Sequence, residues 1–210
     1  MKTVKYPRTY HMPFSQALAA DDKFVKNPNM FNGKHVLVTL KMDGENTSLY
    51  NSCIHARSLD SKHHPSRDWV KSWHSTFSHD IPEDMRICGE NLYAKHSIGY
   101  GNLKSYFYGF NIWFENKCLS WPDTLEWFEL FNITPVEVIY DGIYDEKKIL
   151  EAFKYHAAEH EGFVIRNYGE FHYNDFSNNV AKFVRKNHVQ TKDHWMHTKV
   201  EPNKLNSAPR

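Results

Sequence analysis

His35-Val-Leu-Val-Thr-Leu-Lys-Met-Asp-Gly-Glu-Asn46 is the stretch on which the reading of this chain turns. The β-branched-rich apolar run from His35 to Leu40 reads as a buried strand. Lys41 ends it, Asp43-Gly44 turns the chain, and a second strand follows from about Thr47 to Tyr50. A lysine leaving a buried strand is held by rigid backbone and partly desolvated. Desolvation and nearby cations both disfavour the ammonium, so such an amine can become a nucleophile near neutral pH. Gly44 lets the backbone turn closely past a bound ligand. Taken alone, Lys-x-Asp-Gly fits equally an exposed lysine opening a hairpin.

Outward from this hairpin, Arg67 to Phe77 places Trp69, Val70, Trp73 and Phe77 on one helical face. Arg86 to Leu92 and Tyr106 to Phe114 read as strands. Ser120-Trp-Pro-Asp123 opens a helix with a capping-type start and an early proline, carrying Leu125, Phe128 and Phe131 inward. Pro135 to Tyr140 is a further strand. Asp145 caps a helix whose Ile149, Ala152, Phe153 and Ala157 share a face, and Gly162 to Arg166 and Asn179 to Val184 complete the strands. Strands outnumber helices without alternating with them. The expectation is an α+β domain of largely antiparallel sheets flanked by helices.

The chain has 210 residues, 40% hydrophobic and 15% aromatic, enough for one substantial core. Its formal charge of +1 conceals an asymmetry: Val180 to Arg210 carries seven Lys/Arg against two Asp/Glu, and the remainder is net acidic. A basic terminus on a mildly acidic body can meet a phosphate, or simply be a solvated face. Three separated cysteines (Cys53, Cys88, Cys118) argue against a disulfide scaffold or zinc ribbon and fit a reducing compartment. With no long apolar run, the expected setting is cytoplasmic, away from membranes.

Downstream of Lys41 stands an ordered series. It comprises Arg57 in His55-Ala-Arg-Ser-Leu-Asp60, Glu90 in Cys88-Gly-Glu-Asn-Leu-Tyr93, and Phe110 in Tyr108-Gly-Phe-Asn-Ile-Trp113. Then follow Glu161 in Glu161-Gly-Phe-Val-Ile-Arg166, and Lys182 with Arg185 in Val180-Ala-Lys-Phe-Val-Arg185. This set resembles the covalent nucleotidyltransferase superfamily of RNA ligases, DNA ligases and mRNA capping enzymes, and is most similar to the small RNA ligases related to the nick-sealing phage enzymes. The resemblance spans Val36 to Arg185. It implies a nucleotidyltransferase (ATP-grasp-like) domain at 35–186, preceded by an N-terminal extension (1–34) packed on it and followed by a short basic tail (187–210). Too few residues follow Arg185 for an OB-fold domain, so a protein partner supplying a missing accessory domain is conceivable.

The resemblance implies an ATP-dependent RNA ligase that joins 3′-hydroxyl to 5′-phosphate ends of an RNA substrate. Lys41 would take AMP from ATP, with Lys41, Asp43 and Gly44 forming the first part of the nucleotide site. Arg57 would bind phosphate or the incoming strand through its planar fork of donors. Glu90 would accept from a ribose hydroxyl, and Phe110 would stack on adenine. Glu161 would hold Mg²⁺ or Mn²⁺. Lys182 and Arg185 would neutralise the triphosphate. Side chains alternate along a strand, so a spacing of three sets Lys182 and Arg185 on opposite faces. Lys186, on the parity of Lys182, competes for the second role.

Two positions depart from the family pattern: Leu40 stands where many relatives are acidic, and Asn111 where Asp often follows the aromatic residue. A DNA ligase or guanylyltransferase of the same fold, or a binding relative without chemistry, are the alternatives. The fourteen histidines include clusters at His63-His64 and at His188, His194 and His197, without a zinc-ligand pattern. Neither a G-x-S-x-G elbow nor a Walker loop is present. Trp195, amid the basic tail, suits either a nucleic-acid platform or an anchor to the core.

Overall fold

Residues Val36 to Leu40 are buried without interruption, so both faces of their strand are covered and it must lie inside a sheet. A computed structural model describes residues 3–16, 22–60, 62–186 and 200–206. Within them run the strands β1 Tyr10–His11, β2 His35–Lys41, β3 Glu45–Leu49, β4 Ile54–Ala56, β5 Met85–Asn91 and β6 Phe107–Phe114. They continue as β7 Lys117–Cys118, β8 Thr134–Pro135, β9 Val138–Ile143, β10 Gly162–Asn167, β11 Phe171–His172 and β12 Val180–Val184. The helices are α1 Asp68–His74, α2 Trp121–Leu130 and α3 Glu146–Lys154. One sheet has the order β1-β12-β10-β2-β9. The other runs β11-β7-β6-β5-β3-β4, with β8 beside β6. Pairing is antiparallel except for β1 on β12 and β8 on β6. The chain is thus α+β, with two mainly antiparallel sheets whose apolar faces share a core that includes Leu37, Leu40, Ile87, Phe107, Ile112 and Phe163.

The helices obey their caps. Ser120 accepts from the Asp123 amide at 3.3 Å and Asp145 from the Lys148 amide at 3.1 Å. Ile149 and Phe153 of α3 are buried, and Phe153 meets Phe163 and Phe183 edge-on. Three expectations need correction. In α2 the buried face is Trp121, Thr124 and Phe128, which turns Leu125 to its margin at 37% exposure. Helix α1 stops at His74, well before Phe77; Ser75 and Thr76 hydroxyls bond back to the Ser72 and Trp73 carbonyls and close the turn. The single strand expected at Pro135 to Tyr140 is two: Thr134–Pro135 pairs with β6, and after Val136-Glu137 the chain crosses to pair with β2.

Both ends of the described chain are tied down. In the N-terminal arm, β1 extends the first sheet, the Val4 carbonyl accepts from the buried Arg86 at 2.8 Å, and the Lys5 carbonyl accepts from Tyr173 at 2.7 Å. Residues 200–206 lie along 93–103, with the Lys95 amide donating to Glu201 and the Leu103 amide to Lys204. Asn203 is the peg of this strap. It is 4% exposed, accepts from the Tyr100 amide at 2.8 Å and donates to the Leu92 carbonyl at 2.7 Å. Trp195 and the histidines at 188, 194 and 197 lie outside the described residues.

Removing the Asn203 amide would strand a buried amide and a buried carbonyl. Asn203→Ala is expected to lower unfolding free energy by about 2 kcal/mol. Urea titration checks this: the midpoint should fall with the slope unchanged.

Candidate active site

Register decides what meets Lys41. In the β2–β10 pair Lys41 stands opposite Gly162, so Glu161, just outside β10, comes beside the lysine side chain. Gly162 also faces Val184 of β12, and a Cβ at Gly162 would lie 2.0 Å from the Phe183 carbonyl oxygen. Only glycine permits this approach. The result is an ion pair in which Lys41 Nζ donates to Glu161 Oε2 at 2.5 Å, with the lysine side chain a quarter exposed and the glutamate a tenth.

Between the two sheets opens a cavity of ≈ 360 Å³. The first sheet lines it with Thr39, Lys41, Val164, Arg166, Val180 and Lys182. Asn46, Glu90, Phe110 and Asn111 of the second sheet stand across from them. Arg57, exposed just beyond β4, is at its edge. The cavity therefore offers a nucleophile, cations, carboxylates and an aromatic ring to one ligand.

Of the residues singled out in the sequence, Lys41, Arg57, Glu90, Phe110 and Lys182 come together around this space. Glu161 reaches it through Lys41. Asp43 and Gly44 do other work. Ile98 N–H donates to Asp43 Oδ2 at 2.7 Å, and the Asp43 N–H donates to the Tyr100 hydroxyl at 2.9 Å, so Asp43 anchors the loop that the C-terminal strap covers. A Cβ on Gly44 would lie 2.6 Å from the Asn91 carbonyl oxygen, so β5, rather than a ligand, demands glycine there. Arg185 turns away: its Nε donates to the His160 carbonyl at 2.7 Å, and it borders a different groove. Lys186, exposed, does not line the cavity either. Strand alternation separates Lys182 from Arg185, and β12 ends before Lys186 can resume its parity.

Other residues entered the site without a motif. Asn46 lines the cavity, and its Oδ1 is buried with no hydrogen-bond partner. Its place opposite Glu90 in the β3–β5 pair was available only once the register was known. Tyr6, Arg8 and Asp22 of the N-terminal arm also line the cavity. Asp22 Oδ1 sits 3.8 Å from Lys182 Nζ and 3.2 Å from Nε2 of the buried His11.

The electrostatics are those of crowded charge. Burial pushes Lys41 down, but Glu161, Glu90 and Asp43 outweigh it and hold the ammonium up to about 12. Burial, reinforced by Glu161 and Asp43, pushes the Glu90 carboxyl up to about 8 against the pull of Lys41. Burial and the neighbouring Lys41 lower Lys182. Among the described residues no three His, Cys, Asp or Glu side chains form a ready metal cage. The hard carboxylate of Glu161 nonetheless suits Mg²⁺ or Mn²⁺, which retain much of their water shell and take few protein ligands.

A model of the RNA ligase family matches residues 34–184. The chain belongs to the RNA ligase family. Its fold is similar to a putative ATP-dependent DNA ligase from Aquifex aeolicus, with 20% identity and TM-score 0.57 over 86% of this chain and 50% of that one. An archaeal ATP-dependent RNA ligase gives 15% and 0.54, over 86% and 48%. The Naegleria gruberi RNA ligase with pyrophosphate gives 17% and 0.54, over 88% and 62%. A variant of that Naegleria ligase with ATP and Mn gives 13% and 0.53, over 90% and 59%. The chain thus spans about half to three fifths of the length of these relatives. No curated protein sequence matches it.

Glu90 supplies a test. Its carboxyl titrates above the ordinary value of 4.5, so its contribution to stability is whole below pH 4.5 and is lost as pH rises through about 8. Glu90→Gln should match wild type in thermal midpoint at pH 4.5 and exceed it at pH 9, in metal-free buffer without nucleotide. An equal or lower midpoint at pH 9 would contradict the crowded-charge account.

Proposed function

We propose that this protein is an ATP-dependent RNA ligase working through a lysyl-AMP intermediate. One observation carries the reading: Lys41, fixed at a strand end, opens into a cavity that also holds Lys182, Glu90 and Phe110. In the first step the Lys41 amine attacks the α-phosphorus of ATP. An N–P bond forms, the bond from the α-phosphorus to the bridging oxygen breaks, the nitrogen gives up a proton to solvent, and pyrophosphate leaves. AMP then passes to the 5′-phosphate of an RNA end, and a 3′-hydroxyl displaces it to form the phosphodiester. Positioning and charge stabilisation dominate such transfers.

Lys182 lies where a triphosphate bound against Lys41 would need a cation, and Arg57, at the cavity edge, suits phosphate or the incoming strand. Glu90 suits a ribose hydroxyl, and Phe110, half-buried on β6, presents a ring to the base. Glu161 is the residue for Mg²⁺ or Mn²⁺, which would supply charge neutralisation at the phosphates.

Incubation with α-labelled ATP and Mg²⁺ or Mn²⁺ should give acid-stable, pyrophosphate-reversible label on the protein. Absence of label on wild type, or label persisting in Lys41→Ala, would sink the covalent mechanism. RNA ends should be joined in preference to all-DNA nicks; efficient DNA sealing moves the assignment to a DNA ligase. The cations can be told apart in the same assay. Lys182→Ala should lower the rate of label formation about 100-fold, as loss of a transition-state cation does, while Arg185→Ala should stay within about threefold. Equal loss in both variants would contradict the placement of Arg185 outside the nucleotide site.

A further inference from the structure

The N-terminal arm places a phenol in the wall of the cavity that no sequence motif assigns. Tyr6 is 6% exposed and lines the cavity. Its ring meets Phe110 edge-on, with centroids 5.4 Å apart at 74°, and Phe176 likewise at 5.4 Å and 84°. Its hydroxyl accepts from Asn111 Nδ2 at 2.6 Å, while Asn111 Oδ1 accepts from Arg166 at 2.7 Å.

This chain of contacts has a fixed direction. A guanidinium only donates, so the Asn111 oxygen must face Arg166 and its NH₂ must face Tyr6. The Tyr6 oxygen is therefore the acceptor, and its own hydrogen is left to point elsewhere. An aspartate at 111 could not donate, and the tyrosine would have to spend that hydrogen on it. Asparagine at 111 thus leaves the phenol hydrogen of Tyr6 uncommitted, on a residue that lines the cavity and packs against Phe110. Meanwhile the residue immediately before Lys41 is the apolar Leu40, 2% exposed, whose side chain has no group to hydrogen-bond a base.

We infer that Tyr6 is a base-reading residue of the nucleotide site: it steadies Phe110 and donates its hydroxyl hydrogen to a ring nitrogen of the purine. This rests on the cavity being the nucleotide site proposed above. A site built to hydrogen-bond its ligand loses affinity when the matching group is removed from either side.

The test measures ATP binding by calorimetry and label formation in wild type, Tyr6→Phe and Asn111→Asp, using ATP and its 1-, 3- and 7-deaza analogues. Tyr6→Phe keeps the ring packing and removes only the hydroxyl. Wild type should lose about tenfold in affinity for one of the three analogues, the size of one hydrogen bond. Tyr6→Phe and Asn111→Asp should each bind ATP about tenfold more weakly, with little change in the labelling rate at saturation, and lose discrimination against that same analogue. Tyr6→Phe that retains wild-type discrimination overturns the inference, as does a wild type that binds all three analogues like ATP. A wild type that binds no nucleotide at all overturns the site reading along with it. Wild type that binds and is labelled, beside an unaffected Tyr6→Phe, overturns the Tyr6 role alone.

Discussion

The ion pair between Lys41 and Glu161 is the contact around which this molecule is arranged. It exists because β10 runs antiparallel to β2 in one register, with Gly162 opposite Lys41. Slipping that register by one residue would turn every side chain of β10 to the other face. Phe163 and Ile165, fully buried now, would then be driven into the polar cavity, and Val164 and Arg166 into the core. The apolar pattern of β10 therefore fixes the position of a charged pair at its end. Gly162 extends the same constraint to β12, because no side chain fits between it and the Phe183 carbonyl. Lys182, the residue after Ala181 and opposite His11 in the β12–β1 pair, inherits its place facing the cavity from this packing.

The placement of the motif residues around the cavity was legible because they stand at strand ends. Lys41 closes an apolar run, Glu90 lies near the end of another, and Glu161-Gly162 opens a third, so sequence position and spatial position coincide. What could not be read was contributed by pairings too short to leave a period. Strands of two or three residues, such as Tyr10–His11 and Ile54–Ala56, carry no alternation to detect, yet the first brings Tyr6, Arg8 and Asp22 to the cavity. Glycine at 44 was legible as a need for space, but the neighbour that demands it, the Asn91 carbonyl, belongs to a strand more than forty residues away. Leu125 failed for a different reason. The apolar stripe of α2 includes Thr124, whose hydroxyl is satisfied by the Ser120 carbonyl at 2.7 Å and so can be buried at little cost.

Asp43 links the two halves of this account. Its carboxylate is taken by Ile98 and its amide by Tyr100, so the turn after Lys41 is clamped to the loop at 97–100. That loop is itself covered by residues 200–206 through Asn203. At the opposite edge, β1 pairs with β12 and the arm reaches Phe110 and Asn111 through Tyr6. Segments from near both ends of the described chain thus bear on the cavity. The family model, covering 34–184, includes neither of them.

Charge balance holds Lys41 as an ammonium in the free protein. Against burial, Glu161 foremost holds the Lys41 ammonium above its ordinary value, so the side chain is protonated at pH 7. In that state the amine is masked against stray electrophiles. Lys182 is likewise close to a carboxylate, that of Asp22. Both lysines of the cavity therefore stand beside an internal carboxylate. A ligand bringing its own negative charge to Lys182, accompanied by a cation that occupies Glu161, would undo both pairings at once. Lys41 would then feel burial and a nearby positive charge in place of Glu161, and both effects favour the amine. On the proposed mechanism, activation is in this way tied to occupancy, because the groups proposed to bind phosphate and metal are the ones whose partners keep Lys41 protonated.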